Sequence, residues 1–219
     1  MPARKKPAKK SAKKSSKASK NSTTKIGPIR LPAIPEDKLS DEQRALMDAI
    51  ASGPRGSFKM SGPFFCYLHA PAFGGLAQKL GAYCRFGTSI APRLTEFAIL
   101  ATAHHHKAQY EWAAHEPQAL RAGVKPKTID DLRMGRTPKS APKDERALYA
   151  FIKELHRTGR ASDRSYKAAH AILGDAGMVE LVGLLGYYGM VAMTLNVFRM
   201  PVPEGTPLPF QEPAARSSS

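Results

Sequence analysis

Apolar residues recur with helical spacing along most of this chain, and no stretch alternates in the way that predicts a β-strand or a hairpin. Capping residues, prolines in first turns and glycines at the ends mark where helices start and stop. We predict helices after Ser40, on both sides of Pro71, over Pro92–Gly123, from Pro126, over Lys143–Arg157, and from Ser162 or Asp163 to Gly174. The predicted fold class is therefore all-α.

In the segment from Pro71 to Gly87, Leu76, Leu80 and Tyr83 follow helical spacing, which predicts that this face packs in the core. Further along, the 18 residues Leu181–Phe198 carry no charge, which is long enough to span a membrane. A second interpretation is a helix that is buried on all sides or lies in a subunit interface. We favour this second interpretation and expect no membrane contact, because the other helices are amphipathic and need a core.

The net charge of +16 is unevenly placed, because residues 1–25 hold ten Lys/Arg and no acid and the remainder carries only +6. We therefore divide the chain into a disordered Lys-rich tail (1–26), a helical domain (27–205) and a Pro-rich C-terminal tail (206–219). The basic tail is expected either to contact nucleic acid or another polyanion without sequence preference, or only to aid solubility.

The two cysteines, Cys66 and Cys84, stand in apolar surroundings and form no C-x-x-C motif. We expect both to be reduced, buried thiols. The N-terminus has no apolar segment of the secretory type, and its Lys/Ala/Ser composition differs from that of an Arg-rich transit peptide. We therefore expect a cytoplasmic protein.

One segment gathers ionisable groups in apolar surroundings. Glu96 interrupts an apolar helical stretch, and Glu111 and His115 lie one helical turn apart on one face of the next. If the chain reverses near residues 106–108, Glu96 meets His115. A buried carboxylate needs such a partner, and the pair would suit either acid–base catalysis or a structural hydrogen bond between helices.

Three consecutive histidines, His104, His105 and His106, suggest a metal site at first sight. Consecutive helical side chains point about 100° apart, so all three cannot reach one ion. We therefore expect an exposed helix end with no metal.

Several segments together resemble the carboxymuconolactone decarboxylase family, which shares its fold with alkylhydroperoxidase-D-like proteins. The resemblance covers about residues 40–205 and is carried by LTEFAILATA, QYEWAAHEPQALRAGV, ALYAFIKEL and GYYGMVAMTLNVF. It implies an alkylhydroperoxidase-D-like helical bundle that assembles as a homo-oligomer, a trimer or a hexamer.

The same resemblance implies roles for individual residues. The family's peroxidase branch uses a buried Glu, a C-x-x-C motif and a His four residues after the second Cys. Glu96 and His115 match the Glu and the His, but the cysteine positions fall on Ala108 and Glu111, so thiol redox chemistry is lost. The decarboxylase branch acts on a carboxylated lactone without a metal or organic cofactor. The resemblance then makes His115 the general acid/base, Glu96 its electrostatic partner and Glu111 an assisting group.

Five further side chains are candidates for substrate contact, although surface arginines and core aromatics are the ordinary alternative: Arg85, Arg93, Tyr110, Tyr188 and Asn196. The leading hypothesis is a cofactor-free lyase for a small carboxylated or lactone compound. The alternatives are an alkylhydroperoxidase-like antioxidant enzyme and a non-catalytic oligomer that binds polyanions through its Lys-rich tail.

Overall fold

The computed structural model describes residues 26–212, and the expectations for residues 1–25 and 213–219 lie outside this range. A 3-10 turn, Glu36–Lys38, precedes the first helix, and a π-helical turn, Tyr83–Gly87, follows the third. The helices are α1 Asp41–Ala51, α2 Gly62–Leu68, α3 Pro71–Ala82, α4 Pro92–His106, α5 Gln109–Arg121, α6 Pro126–Arg133, α7 Lys143–Thr158 and α8 Asp163–Phe198. No β-strand occurs between residues 26 and 212, so the all-α prediction is confirmed.

The ends of the helices follow local sequence signals. Ser40 and Gln43 form a reciprocal capping box at the start of α1, and the Gln43 amide also donates to the Leu68 carbonyl at 2.8 Å. Proline occupies the first turn of α2, α3, α4 and α6, where its missing N–H leaves no helical bond unmade. Gly159 ends α7 in the left-handed conformation.

Helix α4 is the centre of the domain. Every residue from 94 to 103 is buried, and the helix packs against α5, α6, α7 and α8. A helix that is apolar all round can be accommodated only in such a position. Glu96 is the one acidic residue in this stretch, so a cation or a hydrogen-bond donor inside the protein must balance its charge.

Helix α8 bends at Gly174, whose φ of 65° is outside the helical range. It is long and apolar enough to cross a membrane, but half of its most apolar 18-residue window is buried within the domain. One side packs on α4 and α7, while Val179 and Val182 on the other side are exposed. The alternative of a helix buried on all sides is therefore wrong for the single chain.

The predicted core face of α3 is also wrong, because Leu76, Leu80 and Tyr83 are 72%, 50% and 51% exposed. The small residues of α3 face inward instead. A Cβ at Gly74 would lie 2.7 Å from Cβ of Tyr67, and one at Gly81 would lie 2.1 Å from the Tyr187 hydroxyl oxygen. The helix therefore approaches its neighbours closely through its glycines and turns its large apolar residues outward.

A hydrogen bond links the π-helical turn after α3 to α8. The Tyr83 hydroxyl donates to Glu180 of α8 at 2.7 Å, and Val179 and Val182 in the same part of α8 are exposed. We call Leu76, Leu80, Tyr83, Val179 and Val182 the outer apolar face.

Candidate active site

A tight reversal between α4 and α5 brings Glu96 to His115. Lys107 adopts a left-handed conformation (φ 51°), and the Ala108 N–H donates to the Ala103 carbonyl at 2.9 Å. The two helices then run antiparallel, and Nδ1 of His115 lies 2.7 Å from Oε2 of Glu96. A carboxylate oxygen accepts, so His115 donates its Nδ1 proton and Nε2 is the nitrogen left for other chemistry.

A cation also answers the buried Glu96. The π-helical turn carries Arg85, whose Nε lies 3.5 Å from Oε1 of Glu96. The Arg85 guanidinium rests over the ring of Phe86, with 5.0 Å between the guanidinium carbon and the ring centroid. Glu96 thus has one partner on each oxygen, which offsets the cost of its burial.

These groups border a cavity of about 480 Å³, a volume that suits a small organic molecule. Its polar and charged lining consists of Arg55, Ser57, Lys59, Ser61, Arg85, Glu111, His115 and Gln118. Its aromatic lining consists of Phe64, Phe86, Tyr110, Tyr187 and Tyr188. Three cations therefore face the same space as one histidine and one carboxyl group.

Glu111 is the one acid in this cavity wall, and it has no hydrogen-bond partner among the residues that the structure describes. It is 2% exposed, and neither of its oxygens makes a hydrogen bond with any described residue. Burial raises the pKa of Glu111 well above its ordinary value of 4.5. Burial therefore favours the neutral, protonated form of this carboxyl group in the cavity.

The structure brings six of the eight sequence-predicted site residues to this cavity wall or directly behind it. Tyr188 packs edge-on against His115, with ring centroids 5.2 Å apart, and burial raises the pKa of Tyr188 well above its ordinary value of 10.0. The Tyr110 hydroxyl shares a hydrogen bond of 3.2 Å with Ser61. Arg85, Glu111 and His115 also line the cavity, with Glu96 behind His115.

Arg93 and Asn196 do not line this cavity. The Arg93 guanidinium pairs with Asp144 and Glu145 of α7, and this network holds α4 against α7. Asn196 donates its side-chain N–H to the His106 carbonyl at 2.8 Å, in a separate, smaller cavity. Tyr188 and Asn196 lie on one helical face, but that face runs past two different cavities. Tyr188 lines the larger cavity and Asn196 the smaller one.

Sequence reasoning missed Arg55 and Lys59, which reach the cavity from the loop between α1 and α2. Arg55 donates to the Gln78 carbonyl at 3.3 Å, and its guanidinium lies 5.2 Å from the Phe64 ring centroid. The alternation of basic and aromatic residues in GPRGSFK was the available signal. It does not reveal which cavity the loop covers.

The two cysteines do not line this cavity. Both are buried, and desolvation raises the pKa of the Cys66 thiol to about 11 and also raises the pKa of Cys84. Both therefore stay protonated near neutral pH, which makes them poor nucleophiles.

The domain is an all-helical bundle with a buried Glu–His pair behind a cation-lined cavity. A crystal structure of a protein of unknown function from Agrobacterium tumefaciens, suggested to be the antioxidant defence protein AhpD, has the same fold. The TM-score is 0.57 at 15% identity, and the match covers 63% of this chain and 95% of that one. No curated protein matches the sequence significantly.

Residues 71–154 match the model of the Carboxymuconolactone decarboxylase family. The chain is therefore similar to this family over these residues, and its fold is similar to that of the A. tumefaciens protein.

Proposed function

We propose that this protein is a cofactor-free lyase that decarboxylates a small carboxylated compound, such as an unsaturated lactone acid. The observation that carries the proposal is Glu111, a buried carboxyl group with no partner in residues 26–212, which faces a cavity beside the Glu96–His115 pair. An acid held neutral by burial is a means of delivering a proton at neutral pH.

The cavity has the charges that such a substrate needs. Arg55, Lys59 and Arg85 line it and attract an anion, while aromatic and aliphatic side chains form the apolar part of the wall. Arg85 is also placed to stabilise negative charge that develops on a carbonyl oxygen. In this proposal the three cations bind the anionic substrate, and the Glu111 carboxyl group supplies the proton.

In the proposed reaction the bond between the substrate and its carboxylate carbon breaks, and carbon dioxide leaves. The electron pair delocalises into the conjugated carbonyl system, where Arg85 opposes its charge. Glu111 gives its proton to a carbon of this anion. His115 takes up a proton from solvent, and this proton reaches Glu111 through water in the cavity, because the two side chains share no direct hydrogen bond. Glu96 fixes the His115 ring and stabilises it when it is protonated. The sum is one proton consumed and one carbon dioxide released.

Thiol-dependent peroxide reduction is the competing activity in the family that the sequence resembles. The positions that the resemblance assigns to its two cysteines hold Ala108 and Glu111, and the cavity wall contains neither Cys66 nor Cys84. The groups that are present favour proton transfer over thiolate chemistry.

The test is carbon dioxide release from carboxymuconolactone and from a panel of small unsaturated lactone acids. We expect Glu111→Gln and His115→Gln to lower kcat by at least about a hundredfold, the lower range for general acid–base catalysis. Glu204→Gln and His170→Gln, which change the same residue types outside the cavity, are the matched controls. Full turnover in both cavity variants would contradict the proposal.

A second proposal concerns the basic N-terminal segment. Residues 1–25 contain ten Lys/Arg and no acid, a charge density that favours binding of nucleic acid or another polyanion. This activity would be independent of the cavity. Deletion of residues 1–25 tests it directly.

A further inference from the structure

Three histidines from two helices meet where α4 ends against α7. His105 and His106 come from α4 and His156 from α7, and one nitrogen from each ring lies within 4.8 Å of the others. The rings of His105 and His156 stack at 4.5 Å between centroids, with 9° between their planes. None of the three lines the cavity that contains His115.

A hydrogen bond fixes the tautomer of His156. The single hydroxyl proton of Thr102 is donated to the Ala98 carbonyl at 2.9 Å, so its oxygen can only accept a further bond. Nε2 of His156 lies 3.2 Å from this oxygen and must therefore be the protonated nitrogen. Nδ1 of His156 therefore keeps a free lone pair. In metal-binding histidines, too, one ring nitrogen donates a supporting hydrogen bond and the other binds the metal.

We propose that His105, His106 and His156 bind a divalent first-row transition-metal ion, with Zn²⁺ as the representative. Three imidazoles and a solvent position complete the four-coordinate shell of such an ion, and His105 is exposed to solvent. Three nitrogen donors without a carboxylate favour Zn²⁺, Cu²⁺ or Ni²⁺ over Mg²⁺ or Ca²⁺.

The side chains need only small movements to bind an ion. Tetrahedral coordination at zinc–nitrogen distances near 2.1 Å places the nitrogens about 3.4 Å apart. The nitrogens lie within 4.8 Å of one another, so binding an ion requires them to approach by up to about 1.4 Å, and His105 is exposed to solvent. His106 is steadied through its backbone, because its carbonyl accepts from Asn196 at 2.8 Å.

The angular argument against three consecutive histidines still holds, and it applies to His104. Nε2 of His104 lies 2.6 Å from the Lys107 ammonium, and its ring packs against Phe210. The third ligand comes instead from α7, which no spacing in the α4 sequence reveals.

The test uses the full-length protein without a histidine tag, titrated with Zn²⁺ by calorimetry and with Co²⁺ by visible absorption, whose intensity reports tetrahedral coordination. We expect one ion per chain. His105→Ala and His106→Ala should each weaken binding by more than about a hundredfold, beyond the range of changes in supporting hydrogen bonds.

Two further variants separate ligation from general damage. His104→Ala, a histidine next to the cluster, should bind the metal like the native protein. Thr102→Val keeps the shape but removes the bond to His156, and it should weaken binding by about 10–100-fold. Absence of saturable binding by the native protein, or equal binding by the His105→Ala/His106→Ala double variant, would overturn the proposal.

Discussion

Replacing Glu111 with Gln should change how the stability of the protein depends on pH. Burial holds the pKa of Glu111 well above 4.5 in the folded chain, whereas the unfolded chain titrates near that ordinary value. Between these two pKa values the folded state binds one more proton than the unfolded state. Because stability falls with pH wherever the folded state binds more protons, the native protein loses stability as pH rises through this window. The loss begins near pH 4.5 and ends at the folded pKa.

The slope follows from linkage alone. One extra proton in the folded state lowers the free energy of unfolding by about 1.4 kcal/mol per pH unit. The amide of Glu111→Gln does not titrate, so the variant lacks this loss. Relative to the native protein, the variant should therefore gain stability as pH rises above 4.5, by up to about 1.4 kcal/mol per pH unit for as long as the pH stays below the folded pKa of Glu111.

Urea denaturation of both proteins at pH 5, 6 and 7 measures this difference, and titrations common to both cancel. Glu204→Gln, an exposed change of the same chemistry, should run parallel to the native protein. If the profile of Glu111→Gln also runs parallel, Glu111 titrates normally and the argument for a buried acid in the cavity fails.

Three other changes test separate parts of the account. Arg93→Ala should lower the free energy of unfolding by about 3–5 kcal/mol in urea denaturation, because it leaves the fully buried Glu145 unpaired. The KM for the substrate should stay unchanged. A raised KM with native stability would instead indicate that Arg93 contacts the substrate. Leu80→Glu puts a charge in the outer apolar face and should convert the proposed homo-oligomer to monomers. Light scattering measures the molar mass in solution, and an unchanged molar mass would place the interface elsewhere. Deletion of residues 1–25 removes ten basic residues, so the slope of log affinity for DNA against log salt concentration should become less steep by up to about 9. An equal slope in the full-length and the shortened protein would exclude the tail as the binding element.

The sequence predicts the Glu96–His115 contact because that contact is local. Both residues lie on adjacent helices joined by a two-residue reversal, so helical spacing alone determines which faces meet. Glu111 follows from the same logic, since it lies one turn from His115. Its lack of a partner does not follow, because that depends on what every other element places nearby.

Contacts between distant segments cannot be predicted from the sequence, because they too depend on how the other elements pack. Arg55 and Lys59 enter the cavity from a loop whose path is set by packing far along the chain. The orientation of α3 is ambiguous in sequence, because a helix with glycines on one side and leucines on the other can bury either. Burial of the glycine side allows a closer approach, which decides the outcome.

Decarboxylation of carboxymuconolactone in D₂O shows whether a buried acid delivers one solvent-derived proton to a carbon of the product. We predict carbon dioxide release and a product that carries one deuterium, at one carbon and on one face, as analysed by NMR. Absence of turnover, or deuterium spread equally over both faces of that carbon, would contradict the account.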